Sequence, residues 1–156
     1  MTNSRRTFLK ASMATGSIAV AIGAGLLTPG SVLAAWPKNA FDAKKMDEAL
    51  KVLNGMSNTE DSNKITVEAP DIAENGAVVS VTVKTSIPNA ENITLLVPEN
   101  ASPLAASYIL SKQADGFITG RIKMRKTSDV IAVVKAGGKL MSAKKPVKVT
   151  LGGCGG

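Results

Sequence analysis

The run Ala77–Ser86, AVVSVTVKTS, decides the fold class. Val79, Val81 and Val83 fall on one side of an extended chain, and Ser80, Thr82 and Lys84 on the other. Successive side chains of a strand point to opposite faces, so this alternation describes a strand with one buried and one wet face. A helical period would scatter the same valines around the axis. The residues are also β-branched, which suits a pleated surface.

The same reading extends in both directions. Asn75-Gly76 is a turn signal, and Lys64–Ala69 (KITVEA) before it reads as a short strand. Further strands are expected in Asn92–Pro98 (NITLLVP), Ala105–Ser111 (AASYILS) and Gly116–Lys126 (GFITGRIKMRK). In the last of these, Ile118, Gly120, Ile122 and Met124 face one way and Thr119, Arg121, Lys123 and Arg125 the other. Asp129–Ala136 (DVIAVVKA) runs into Gly137-Gly138 and KLMSA, and Lys145–Leu151 (KPVKVTL) closes the series with Val147, Val149 and Leu151 on one side. About seven short strands, punctuated by turn residues, indicate a mainly β chain: an immunoglobulin-like antiparallel β-sandwich. The Cys–Trp–Cys core of antibody domains is missing, so the likeness is architectural. There is no internal repeat.

One helix is expected before the strands, in NAFDAKKMDEALKVLNG (Asn39–Gly55). Met46, Ala49, Leu50 and Leu53 share a face. Asp42 suits the N-cap, with Phe41 and Met46 spaced as a hydrophobic staple, and Gly55 suits the stop. The apolar face is expected to pack on the sandwich.

The first 34 residues read as a removable export signal. Arg5 and Arg6 lie in SRRTFLK, a weakly apolar stretch runs from Ala11 to Leu27, and Val32-Leu33-Ala34 offers small residues for cleavage. Adjacent arginines in this setting make a twin-arginine signal and predict a periplasmic destination. Residues 35–58 then form an N-terminal segment with the helix, 59–151 the sandwich, and 152–156 a glycine arm. Removing the signal takes Arg5, Arg6 and Lys10 with it and lowers the formal charge from +7 to +4. One Trp, one Tyr and three Phe, with no dense basic block, argue against nucleic-acid binding.

The twin-arginine route exports folded cargo, commonly because a cofactor is loaded first. This chain has no histidine and one cysteine. Haem, iron–sulfur and structural zinc sites therefore lack ligands, and no cofactor or metal is expected. A partner subunit, assembled before export, is the remaining reason to fold early.

The single cysteine, Cys154, stands in the ending GGCGG, between Gly152-Gly153 and Gly155-Gly156. An odd cysteine in an exported protein points to an intermolecular bond or a working thiol. Glycines give it neither apolar neighbours nor stiffness for packing, and they add almost no width to an arm entering a narrow channel. Ordering five such residues costs roughly 5–10 kcal/mol, which keeps docking transient. A thiol is nucleophilic as the thiolate, and with a reference pKa of about 8.5 only a few per cent ionises at neutral pH. No histidine is present to act as base, although Lys139, Lys144, Lys145 and Lys148 precede the arm and could favour the thiolate. Such a chain presents sulfur and leaves the chemistry to other proteins, so no catalytic residue and no enzymatic activity are expected. Lys123, Arg125 and Lys126 read as a solvated face or as an electrostatic docking surface for an acidic partner.

The GGCGG ending, the SRRTFLK signal, the early helix and the strand pair in VEAPDIAENGAVVSVTV together closely resemble the SoxY family, sulfur-carrier subunits of bacterial thiosulfate oxidation. The resemblance implies an immunoglobulin-like subunit paired with SoxZ. It implies that Cys154 is the covalent attachment site and that Gly152, Gly153, Gly155 and Gly156 form a swinging arm. It further implies transient encounters with SoxAX, which couples thiosulfate to the thiol, with SoxB, which releases sulfate, and in some organisms with SoxCD. Two other classes remain at this point: an exported β-sandwich cross-linked to a partner through Cys154, and a thiol redox enzyme, for which a base is missing.

Overall fold

The computed structural model describes residues 37–151. Two helices precede nine strands among them. We number them α1 (Lys38–Asp42), α2 (Met46–Asn54), β1 (Thr59–Asp61), β2 (Ile65–Glu68), β3 (Ile72–Asn75), β4 (Val79–Thr85), β5 (Ala90–Leu96), β6 (Leu104–Ile109), β7 (Phe117–Ile122), β8 (Ser128–Ala136) and β9 (Lys139–Leu151). The expected sandwich is present. A larger sheet runs β1-β9-β8-β5-β6, with β3 also on β9, and a smaller one runs β2-β4-β7.

The alternation read in AVVSVTVKTS is what packs the two sheets. Val79, Val81 and Val83 are buried in one cluster with Ile118 and Ile122 of β7, and with Ile93, Leu95, Val130, Ala132 and Val134 of the larger sheet. Each of these valine, isoleucine and leucine side chains stabilises by roughly 1.5–3 kcal/mol when fully buried. The outer face of the larger sheet is also covered. Leu96, Val133 and Leu140 meet Ala40, Ala49 and Leu50 of the helices, with Met46 and Leu53 partly buried beside them.

The single helix read from Asn39 to Gly55 is two helices. Pro37 opens α1, and the Ala40 and Phe41 N–H groups both bond its carbonyl. Asp42 is thus drawn into the end of α1 and does not cap α2. Residue 45, in extended conformation, precedes α2 without a side-chain cap, so Met46 opens α2 instead of lying within a helix capped at Asp42, although Phe41 and Met46 both pack against the same cluster. Gly55 does end α2, at φ 77°, with its N–H on the Lys51 carbonyl. Asp47 and Glu48 sit in the first turn of α2, where the helix dipole favours them.

KLMSA and KPVKVTL are one strand, not two. β9 pairs with β8 without interruption from Ala136–Lys139 to Ser128–Val147. Pro146 is tolerated for a geometric reason. Two residues on, the Lys148 N–H points away from β8, to the Asp71 carbonyl. Position 146 points the same way, into the stretch of that edge between β1, which pairs with 140–142, and β3, which pairs with 148–151. Proline therefore removes a donor where no strand waits for it. Both short strands run parallel to β9, so the otherwise antiparallel pattern gains two parallel pairings.

β3 is latched onto β9 by more than its ladder. Asp71, before β3, accepts a hydrogen bond from the Lys145 ammonium. That bond and the ammonium charge hold the Asp71 carboxyl below its ordinary pKa.

Two predictions follow from these contacts. A Cβ on Gly116 would stand 2.4 Å from the Thr85 carbonyl oxygen, where the Thr85 N–H bonds Gly116. Gly116→Ala should therefore cost roughly 1–3 kcal/mol in urea unfolding, and an unmoved midpoint would contradict this close approach. For the latch, a lowered carboxyl pKa means stability present above the unfolded value near 4 and lost as pH falls through the folded value. Lys145→Gln should raise the Asp71 midpoint in a carboxyl-carbon NMR titration; an unchanged midpoint would show that the ion pair does not persist in solution.

Candidate functional site

The residues singled out for chemistry, Cys154 with Gly152, Gly153, Gly155 and Gly156, lie outside the described residues, as do Arg5 and Arg6 of the signal. What is described is the platform that carries them. Leu151 ends β9 and is 69 % exposed.

This platform is held on both edges. On one side, β3 runs alongside, matching Ile72 to Lys148, Ala73 to Val149 and Asn75 to Leu151. The Thr150 hydroxyl donates to the Glu74 carbonyl at 3.1 Å. On the other side, the Val149 N–H donates to the Thr127 hydroxyl at 3.0 Å. The Gly76 N–H closes the end by donating to the Leu151 carbonyl at 2.7 Å. The chain is therefore hydrogen-bonded through Leu151, the last described residue.

The Asn75-Gly76 turn expected from sequence is present, with the Asn75 side chain accepting from the Ala77 N–H at 2.8 Å. Its role differs from a plain hairpin. β2 and β4 do pair with each other, but β3 between them crosses to the larger sheet. The turn brings the chain back and sets Gly76 beside Leu151.

Gly76 also accepts from the Met124 N–H at 2.7 Å. The alternation read in GFITGRIKMRK continues past the end of β7, so Met124 is fully buried while Lys123 and Arg125 face solvent. The Asn100 side chain clasps this segment, donating to the Lys123 carbonyl and accepting from the Arg125 N–H. The basic residues Lys123, Arg125 and Lys126 are thereby gathered at the end of β9, an arrangement that strand alternation alone did not reveal.

The lysines of β9 separate by position. Lys139 begins the strand and Leu151 ends it, so at 3.3 Å per residue they lie about 40 Å apart. Lys139 therefore has no electrostatic influence on a thiol beyond Leu151. Lys144 stands 4.0 Å from Asp129, and Lys145 is committed to Asp71. Of the four, Lys148 alone is both near the end of the strand and outside these ion pairs.

Among the described residues no group of three His, Cys, Asp or Glu side chains is placed to hold a metal, and no helix is long and apolar enough to cross a membrane. An open depression of about 570 Å³ lies between the β5–β6 loop and β9, lined by Asp71, Glu99, Thr127, Asp129 and Lys148 among others.

Comparison with known proteins agrees with the resemblance to the SoxY family. Residues 50–154 match the family described as sulfur oxidation protein SoxY. The structure of the sulfur carrier protein SoxY from Chlorobium limicola f thiosulfatophilum is 44 % identical, covers 69 % of this chain and 97 % of its own, and superimposes with a TM-score of 0.62. A superoxide reductase (neelaredoxin) from Ignicoccus hospitalis is 20 % identical over 56 % of this chain and 80 % of its own, with a TM-score of 0.48. A Jonesia denitrificans lytic polysaccharide monooxygenase gives 14 % identity over 69 % and 73 %, with a TM-score of 0.38. The last two scores are too low to carry an argument. A comparison with curated proteins gave no match. The family match and the 44 % identity together place this chain in the SoxY family.

Proposed function

We propose that this chain carries sulfur intermediates covalently on Cys154 and presents them to partner enzymes during thiosulfate oxidation. One observation carries the reading: the match to a sulfur-oxidation family runs through residue 154, the chain's only thiol. The related Chlorobium protein is itself described as a sulfur carrier.

Loading joins the Cys154 thiolate to the terminal sulfur of thiosulfate. A sulfur–sulfur bond forms, two electrons leave to a haem protein of the SoxAX type, and Cys154–S–S–SO3− results. Hydrolysis by an enzyme of the SoxB type breaks the bond between the outer two sulfurs. Water supplies the oxygen, one hydrogen sulfate leaves, and a persulfide remains on Cys154. Where SoxCD is present, it oxidises the persulfide sulfur and hydrolysis repeats. These adducts stand on the cysteine oxidation ladder and are reactive when free, so a covalent tether keeps them from diffusing away.

The chain supplies no base and no cofactor for these steps, which is why it serves as a substrate of its partners and not as an enzyme. Gly152, Gly153, Gly155 and Gly156 give the thiol a narrow approach to several different channels. Export by the twin-arginine route, read from Arg5 and Arg6, places the protein in the periplasm, and folding before export suits assembly with SoxZ.

Intact-protein mass spectrometry on material from thiosulfate-grown cells tests the attachment. Mass increments of sulfane sulfur and sulfonate are expected, and they should vanish in Cys154→Ser; an unmodified thiol throughout would refute the carrier role. A stable stoichiometric disulfide with one partner would instead identify a cross-linking module. The arm is tested by Gly153→Val combined with Gly155→Val. Turnover by partner enzymes should fall at least tenfold while the unfolding midpoint stays put, and undiminished turnover would remove the need for a slender arm.

A further inference from the structure

The geometry points to an oxyanion-binding collar at the root of the arm, formed by Arg125, Lys126 and Lys148, which holds the charged sulfonate end of the Cys154 adduct. This rests on the proposal that Cys154 carries anionic sulfur groups.

Three observations build the collar. The first is proximity. Two hydrogen bonds of 2.7 Å and the backbone of Gly76 separate the Met124 N–H from the Leu151 carbonyl. By standard backbone dimensions the two atoms lie within roughly 9 Å. The Thr127 hydroxyl, next to Lys126, touches the Val149 backbone, and Lys148 lies on β9 itself. The second is reach. Cys154 follows Leu151 by three residues, so in any conformation its Cα stays within about 10 Å of that anchor. The length of the arm therefore lets an adduct there reach these cations.

The third is preorganisation. Buried Met124 and the Asn100 clasp fix the backbone from which Arg125 projects. Arg125, Lys126 and Lys148 are exposed, and the ion pairs nearby engage Lys144 and Lys145 instead. The acidic groups that face the same region are Glu74 on β3, Glu99 beside Asn100 and Asp129 on β8; Asp129 stands 4.0 Å from Lys144, and Asp71 is already paired with Lys145. A guanidinium fork suits an oxyanion, and its charge-assisted bonds are stronger than neutral ones. Hydrolysis of the sulfonate removes the group that the collar grips, so the hold is specific to the loaded, unhydrolysed form.

The test uses the mature chain and two reagents of opposite character. Tetrathionate is a dianion. The Cys154 thiolate attacks one of its inner sulfurs, the central sulfur–sulfur bond breaks, thiosulfate leaves, and Cys154–S–S–SO3− forms with no added oxidant. 4,4′-Dithiodipyridine is neutral and reports on thiolate population and access. In Arg125→Gln combined with Lys126→Gln, the tetrathionate rate should fall roughly three- to tenfold at low ionic strength, and the difference should shrink at 1 M salt, where the Debye length is about 3 Å. The dithiodipyridine rate should hold within about twofold at any salt, because a neutral reagent gains little from charge. An unchanged tetrathionate rate, or an equal fall with both reagents, would overturn the collar. Neither result bears on whether cells load Cys154, which the mass measurement decides separately.

Discussion

Everything positional in this protein depends on one constraint: the backbone of β9 is hydrogen-bonded along both edges. β8 pairs with it through residues 139–147 on one side, and β1 and β3 share the other. A strand this long in a central position would ordinarily exclude proline. Pro146 is accommodated only because its missing N–H points between the two short parallel strands. The strand nearest the thiol is therefore fixed by pairings to residues more than 70 positions earlier in sequence, such as Thr150 to Glu74 and Lys145 to Asp71.

That fixity is supported from both faces of the larger sheet. Val130, Ala132 and Val134 of β8 face the smaller sheet, and Val133 faces the helices. The core is made chiefly of valine, isoleucine, leucine and alanine, with aromatics only 3 % of the chain. β-branched side chains have few rotamers to lose on burial, so a sandwich built from them is stiff for its size. Stiffness in the body and glycine in the last five residues are opposite choices made in one short sequence.

The legible part of the fold was the part written in local periodicity. Val79, Val81 and Val83 announced β4, and the alternation through Met124 announced β7 and its continuation. β1 and β3 were not legible, because Thr59–Asp61 is wholly exposed and Ile72–Asn75 has one buried residue, Ala73. Such strands exist only because β9 offers them an edge. Proline in KKPV punctuated the sequence but not the structure, for want of knowing which way position 146 points. Asp42 has the side chain of a cap, but Pro37 starts a short helix of its own that takes Asp42 in as its last residue. At the site, Cys154 stood out by being unique, a property of composition. The gathering of Arg125 and Lys126 at the root of the arm was invisible, since it requires Gly76 to meet both Leu151 and Met124, and no spacing rule encodes that meeting.

How the last residues of β9 are held matters as much as how the strand begins. A tether's working radius is measured from its last fixed residue, and each residue that frays from β9 would add about 3.3–3.6 Å to that radius. Four bonds resist such fraying: Lys148 to Asp71, Val149 to Thr127, Thr150 to Glu74 and Leu151 to Gly76. Each is worth only about 0.5–1.5 kcal/mol by itself, but they act in series along adjacent residues, so the strand end must give up several together to lengthen the arm. The end of β9 is therefore fixed through Leu151. Whatever follows Leu151 in sequence thus starts from a fixed point, on the edge of the sandwich where Gly76 meets both Leu151 and Met124.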